Sequence, residues 1–144
     1  MMKSQTFLRE ISDRLGCDDR RAESVTFAVF QELRDRLTAA ERRDVASQLP
    51  TELRRLWTTG DRAERAPTKT HRDEFIGRVR QRAVLPDAAE AERAVCVVFA
   101  ELQLALGSAS GRQGEAWDVF SQLPKDLKQL WLDAARRPAS RRTV

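Results

Sequence analysis

One ten-residue phrase occurs almost twice in this chain, as QLPTELRRLW at residues 48–57 and as QLPKDLKQLW at residues 122–131. When the two phrases are superimposed and read backward, the stretch 22–37 aligns with the stretch 91–106 without a gap. The extra length of the second copy falls in connecting segments, where insertions leave a packed scaffold intact. Self-similarity over such a length predicts a duplicated structural unit.

The first copy has the pattern of four helices. Apolar residues recur at spacings of three and four between residues 7 and 15 and again between residues 22 and 37, which is typical of helices with one buried face. Thr38 followed by Glu41 forms a capping box and predicts a third helix that ends near Leu49. The second copy repeats this pattern. The sequence therefore predicts an all-α fold, with two tandem, sequence-related four-helix units packed as one helical domain.

The repeated phrase has the features of a packing element rather than of a chemical site. A proline suits the first helical position, where its missing N–H is not needed, and it disfavours the helical conformation for the residue before it. Leucines and a tryptophan then follow at spacings of three and four, which predicts an apolar stripe. We expect six structural anchors at matched positions of the two copies: Pro50, Leu53, Trp57, Pro124, Leu127 and Trp131.

These patterns divide the chain into four parts. Helical repeat 1 covers residues 7–57, a polar link covers residues 58–74, and helical repeat 2 covers residues 75–131. Residues 132–144 form an Arg-rich tail that contains Pro and small residues, and we expect it to be disordered.

The two copies also resemble a known family. A unit that runs from an F-[LI]-x-x-[IV] helix to a QLP-x-[ED]-L-[RK]-x-L-W helix, with RDEFIGRV opening the second copy, is similar to the bacterial family of domain of unknown function 2267. The resemblance covers residues 7–131. It implies an all-helical fold, no assigned reaction and no catalytic residues. The link TTGDRAERAPTKT differs from the aromatic stretch that is associated with the family after its first repeat.

The net charge of +4 does not come from the repeats. The stretches 7–57, 58–74 and 75–131 each contain equal numbers of basic and acidic residues, so the excess comes from Lys3 and the tail. A neutral body predicts no large basic face. Weak nucleic-acid binding would therefore use the tail, through Arg136, Arg137, Arg141 and Arg142. The alternative is that the tail only keeps the protein soluble.

Residues with catalytic or ligand-binding potential are few. His71 is the only histidine, the two cysteines, Cys17 and Cys96, have no metal-like spacing, and GSASGRQG lacks the Gly-Lys-Ser/Thr of a phosphate loop. We expect no enzyme, no catalytic, cofactor-binding or metal-binding residues, and no cofactor. The longest apolar run, Ala94–Ala100, is too short to cross a membrane, and nothing marks the N-terminus for export. We expect a cytoplasmic protein with two free thiols and no membrane contact.

One difference between the copies indicates a binding surface. On a helical wheel, the face opposite the core stripe is polar in the first copy and apolar in the second, and a helix that is apolar nearly all round should be covered on both sides. We therefore expect a non-enzymatic interaction or structural module that binds a protein partner or forms a homo-oligomer through repeat 2; the alternative is a nucleic-acid-associated protein anchored by its tail. On the long helix, Arg20, Gln31 and Asp35 correspond to Ala89, Ala100 and Leu104, and on the third helix Arg42 and Arg43 correspond to Ala116 and Trp117.

Overall fold

The fold is all-α, as the sequence predicts. The computed structural model describes residues 4–61, 71–106 and 115–136, except the side chains of residues 4, 115–118 and 136. Across this part of the chain there are eight helices and no strand. They are α1 (Ser4–Leu15), α2 (Asp19–Arg34), α3 (Ala39–Gln48), α4 (Thr51–Thr58), α5 (Arg72–Ala83), α6 (Ala88–Ala105), α7 (Glu115–Gln122) and α8 (Lys125–Arg136). We call α1–α4 the first half and α5–α8 the second half.

Short polar side chains start the helices of the first half. Asp18 caps α2 by accepting a 2.8 Å hydrogen bond from the Arg21 amide, and Thr38 caps α3 by accepting from the Glu41 amide at 3.1 Å. Both start signals can be read in the sequence. Leu49 is extended, as a residue before proline should be, with φ −95° and ψ 146°. Pro50 was predicted at the first helical position, which was wrong by one residue, because Pro50 is the N-cap and α4 begins at Thr51.

Two helices of the second half extend beyond the boundaries predicted for the repeat. Helix α5 begins at Arg72, inside the predicted link, and α8 continues to Arg136, inside the predicted tail. Ala134 is 1% exposed, so the last turn of α8 is held by the core. Because residues 132–136 are helical, the expectation of disorder was wrong for them. Residues 62–70 and 137–144 lie outside the described part of the chain.

Each half is built around three aromatic side chains in contact. In the first half, Phe30 lies between Phe7 and Trp57, with ring centroids 6.1 and 5.2 Å away. In the second half, Phe99 lies between a phenylalanine and a tryptophan in the same way, at 5.8 and 4.9 Å. Leu53, Trp57, Leu127 and Trp131 are all at most 2% exposed, so these predicted anchors are part of the core, whereas Pro50 and Pro124 are half-buried.

The contacts between helices have a pseudo-two-fold pattern. Within each half, the first two helices pack on each other and the fourth packs on both. Between the halves, α1 packs on α6, α2 packs on α5, and the pairs α2 with α6 and α3 with α7 also meet. Exchanging the two halves converts this set of contacts into itself, which is the arrangement of an isologous interface.

A carboxylate from another helix caps the start of α5. The N-cap residue His71 makes no capping hydrogen bond with its own side chain, and Asp126 of α8 instead accepts from the Arg72 amide at 3.0 Å. The bond to Arg72, together with nearby His71, holds the pKa of Asp126 below its usual value. His71 Nδ1 lies 3.4 Å from the same carboxylate. Asp126 therefore joins the starts of α5 and α8.

The end of α5 carries an unusual backbone conformation. Val84 has φ 55°, in the left-handed region, and it is the only non-glycine residue of the described chain with a positive φ. The matched residue after α1 is Gly16, with φ 69°. A β-branched side chain is strained in this region because its Cβ crowds the following carbonyl oxygen, whereas glycine is not. The two halves thus end their first helices with the same turn but with different residues.

We predict that Val84→Gly raises the free energy of unfolding by about 0.5–1 kcal/mol, because relief of strain exceeds the added entropy of the unfolded chain. The matched control, Gly16→Val, should lower it by about 1–2 kcal/mol. A Cβ at Gly16 would meet no atom within 4 Å, so that loss would come from the backbone alone. Urea denaturation measures both changes. A Val84→Gly variant less stable than the parent would contradict this assignment of strain.

Candidate functional site

The large apolar side chains that the structure leaves in solvent all lie in the second half, among the described residues. They are Val84, Leu104 and Leu132, which are 77%, 57% and 41% exposed. The repeat alignment places Gly16, Asp35 and Thr58 at the corresponding positions of the first half. The first half therefore has a glycine, an aspartate and a threonine where the second half exposes apolar side chains.

Leu104 and Leu132 lie at the same end of the molecule. Helices α6 and α8 pack on each other, and the Gln103 side chain donates a 3.0 Å hydrogen bond to the Trp131 carbonyl. Leu104 and Leu132 each directly follow one partner of this bond in the chain. We call Leu104 and Leu132 the α6–α8 patch. Val84 is not part of it, because it lies beyond the opposite end of α6, next to the α6 N-terminus.

The corresponding end of the first half is closed by charged groups. Arg34, which is matched to Gln103, donates to the carbonyls of Trp57 and Thr59 at 2.6 and 2.7 Å. Asp61 then accepts from Arg42 Nε at 2.9 Å. Both arginines are almost fully buried, with side chains 3% exposed, so this network is part of the interior.

The second half has no counterpart to these charges in its sequence. The alignment matches Arg34 with Gln103, Arg42 with Ala116 and Asp61 with Ala135. Gln103 keeps the bond to the tryptophan carbonyl, but it carries no charge. The matched positions thus hold a buried ion-pair network in the first half and uncharged residues in the second.

The predicted apolar face is only partly covered within the chain. Ala100 is half-buried and packs against the core, whereas Ala89 and Leu104 are exposed. The middle of α6 lies against α1, and Cys96 in this region is 6% exposed. The side chains of Ala116 and Trp117 lie outside the described residues.

The first half did not follow its predicted polar exposure. Arg20 is exposed and Gln31 is half-buried, but Asp35 is only 8% exposed. The expectation of solvent exposure was therefore wrong for Asp35, because a helical wheel does not show which neighbouring helix covers the end of α2. Arg43 is exposed, whereas Arg42 is buried in the network with Asp61.

The remaining predicted residues have simple surroundings. Cys17 and Cys96 are free thiols; Cys17 is half-buried, and burial together with Asp18 raises its thiol pKa. His71 is 78% exposed at the start of α5. The side chain of Arg136 and the whole of Arg137, Arg141 and Arg142 lie outside the described residues.

A shallow groove of about 370 Å³ runs along α1 and is lined mainly by exposed polar residues, including Arg9 and Asp19. No three His, Cys, Asp or Glu side chains of residues 4–61, 71–106 and 115–136 lie together in a way that could hold a metal ion. Among the described helices, none is both long enough and apolar enough to cross a membrane.

Sequence reasoning missed two ion pairs that cross the interface between the halves. Arg14 of α1 contacts Glu101 of α6 at 3.0 Å, and Arg82 of α5 contacts Glu32 of α2 at 2.5 Å. The Arg14 and Glu101 side chains are only 9% and 5% exposed. Burial raises the pKa of Glu101 above its ordinary value, although the bond from Arg14 acts in the opposite direction. A signal was present in the sequence, since Arg14 matches Arg82 and Glu32 matches Glu101 in the repeat alignment.

Comparison with known proteins places the chain in a family. A family model described as "Uncharacterized conserved protein (DUF2267)" matches residues 4–130, which is most of the chain. No curated protein matched the chain.

We predict that Arg14→Met lowers the free energy of unfolding by about 3–5 kcal/mol at neutral pH, because it leaves the buried Glu101 carboxylate without its cation. The loss should shrink as the pH is lowered, since a protonated Glu101 carries no charge that needs a partner. This pH dependence has the sign expected from the raised pKa of Glu101. The folded state favours the protonated acid, so the free energy of unfolding falls as the pH rises through the folded-state pKa.

The control is the double variant Arg14→Met/Glu101→Leu, which removes both charges and should cost less than Arg14→Met alone. Urea denaturation at neutral pH and at a series of lower pH values measures all three proteins. If Arg14→Met loses under 1 kcal/mol at every pH, the pair does not stabilise the interface in the proposed way.

Proposed function

The chain belongs to the DUF2267 family, and we propose that it is a non-enzymatic helical module that binds a protein partner through the α6–α8 patch. One observation carries the proposal: Leu104 and Leu132 are exposed at 57% and 41%, on two helices that are hydrogen-bonded at that position. Exposed apolar surface of this kind is a common feature of protein-binding sites. The partner is another protein or a second copy of the chain.

The proposal includes a duplicated four-helix unit whose copies have different roles. The matched aromatic contacts of Phe30 and Phe99 and the pseudo-two-fold set of helix contacts support the duplication. In the first half, the buried network of Arg34, Arg42 and Asp61 closes the end of the unit. In the second half, the uncharged replacements leave that end apolar and available for a partner.

We further propose that the protein acts in the cytoplasm. The support is that Cys17 and Cys96 are both free thiols, which is the usual state of cysteine in a reducing compartment.

We predict that the double variant Leu104→Asp/Leu132→Thr loses partner binding while its fold and stability stay unchanged. Each substitution writes the matched residue of the first half into the second. Because both leucines are exposed, the change in unfolding free energy should stay within about 0.5 kcal/mol. A buried interface would lose several kcal/mol of binding free energy, because the new carboxylate would have to be desolvated.

Affinity purification of the tagged chain from its native host, followed by quantitative mass spectrometry, compares the variants, and light scattering gives the mass of each. Val84→Gly is the matched control, because it removes an exposed apolar side chain outside the patch. Proteins retained by the parent and by Val84→Gly, but lost from the double variant, are partners of the patch. Identical sets for all three proteins, with identical masses, would reject the proposal.

A second candidate function is non-specific nucleic-acid binding through the tail. The specific observation is that the repeats and the link are electrically balanced, so the positive excess lies in Lys3 and the residues after Trp131. Affinity of this kind depends on contacts between arginine and phosphate and falls with added salt.

We predict that removal of residues 137–144 abolishes any binding to duplex DNA at low salt. The truncation removes Arg137, Arg141 and Arg142 but keeps all of α8, which ends at Arg136. Fluorescence anisotropy with a labelled duplex at several salt concentrations measures binding, and circular dichroism checks that the helices are retained. Binding that survives with the same salt dependence would place the contacts elsewhere.

A further inference from the structure

We propose that two copies of this chain form a dimer by exchanging halves. The interface between the halves then also becomes the interface between the two copies. In the exchanged dimer, the first half of each copy packs against the second half of the other, and each such pair of halves is one folded unit. The inference goes beyond the proposed function, because it uses the interface of α1 and α2 with α5 and α6 and not the α6–α8 patch.

The two ion pairs across the interface are reciprocal. Arg14 of the first half reaches Glu101 of the second, and Arg82 of the second half reaches Glu32 of the first. In the repeat alignment the two arginines occupy one position and the two glutamates occupy another. Each half therefore provides one arginine and one glutamate to the other, as the members of a symmetric dimer do.

A second pair of hydrogen bonds also crosses the interface in both directions, although its residues are not matched in the repeat alignment. Arg93 of α6 donates to the carbonyl of Arg14 at the end of α1, at 2.7 Å, and Arg21 of α2 donates to the carbonyl of Val84 after α5, at 2.8 Å. In both cases an arginine near the start of a long helix binds the end of the first helix of the other half. These bonds supply donors for carbonyls that a helix end leaves without an internal partner.

These contacts specify which surfaces of the halves meet, but not whether the halves belong to the same chain. A first half buries the same surface and makes the same four bonds with the second half of another copy. Intramolecular pairing is favoured because the two halves are joined in one chain, which raises the effective concentration of each half around the other. The exchanged dimer should therefore form when concentrated chains fold together.

Two full-length variants test the exchange by complementation. R14E and E101R each place two like charges at the same buried contact, and each should lower the melting temperature by on the order of 10 °C. When the two are unfolded together and refolded, exchange brings the two substituted positions, 14 and 101, together in one unit as an ion pair of reversed polarity. The other unit regains the parent pair. We expect a heterodimer, of twice the 16.4 kDa chain mass, that recovers most of the lost melting temperature.

The matched control mixes R14E with R82E. Exchange between these chains gives one unit with both parent ion pairs and one unit with both pairs broken, so the mixture should gain nothing over the separate variants. Dimers that pair like halves would also fail to rescue R14E with E101R. In such dimers the carboxylate introduced at position 14 would face Glu32, and the guanidinium introduced at position 101 would face Arg82. Rescue of the first mixture without rescue of the second is thus specific to exchange.

The unmodified chain provides the independent measurement in case a variant fails to fold alone. Refolded at the highest soluble concentration, it should give a dimer fraction that rises with concentration and persists on dilution, since conversion to monomer requires the halves to separate. Size-exclusion chromatography with light scattering measures this fraction. The proposal is overturned if the unmodified chain gives no dimer, or if the R14E and E101R mixture contains no heterodimer.

Discussion

The fold depends on the burial of the two long helices, α2 and α6, between helices of both halves. Each is covered on one side by helices of its own half and on the other by the first helix of the opposite half. This explains why both carry a glutamate in a nearly dry position, Glu32 and Glu101, which an arginine of the other half neutralises. An unpaired carboxylate there would be costly, so the ion pairs restrict which surfaces can meet. Burial of apolar surface is the main favourable term in folding, and the ion pairs restrict which helix surfaces can face each other.

The two halves have similar folds but are closed differently at their outer ends. The first half buries Arg34 and Arg42 around Asp61, and the arginines reach backbone carbonyls at the ends of α2 and α4. In the second half, Gln103 makes the equivalent bond to the Trp131 carbonyl without a charge. The first half has Asp35 and Thr58 at the positions where the second half exposes Leu104 and Leu132. This difference is the physical basis for the binding role that we propose for the second half.

Some local features had clear sequence signals and others had none. The caps at Asp18 and Thr38 follow from local hydrogen bonding, which needs only neighbouring residues. The cap of α5 could not be predicted, because its acceptor, Asp126, comes from a helix more than fifty residues away in the chain. The end of α8 was also missed, since its last turn is held by burial of Ala134 in the core rather than by a terminal signal.

The sequence by itself determined the all-α class, the order of the helices, the core stripes and the candidate leucine Leu104, because periodicity and repetition report which faces are apolar. Only the tertiary structure decided which apolar and polar faces are covered. It buried Asp35, exposed Leu104 and brought Leu132 to the same end through the contact of α6 with α8. The physical reason is that burial depends on the neighbours a helix acquires, and those come from distant parts of the chain. The repeat alignment contained the matched residues of the two ion pairs, but only packing showed that they cross between the halves.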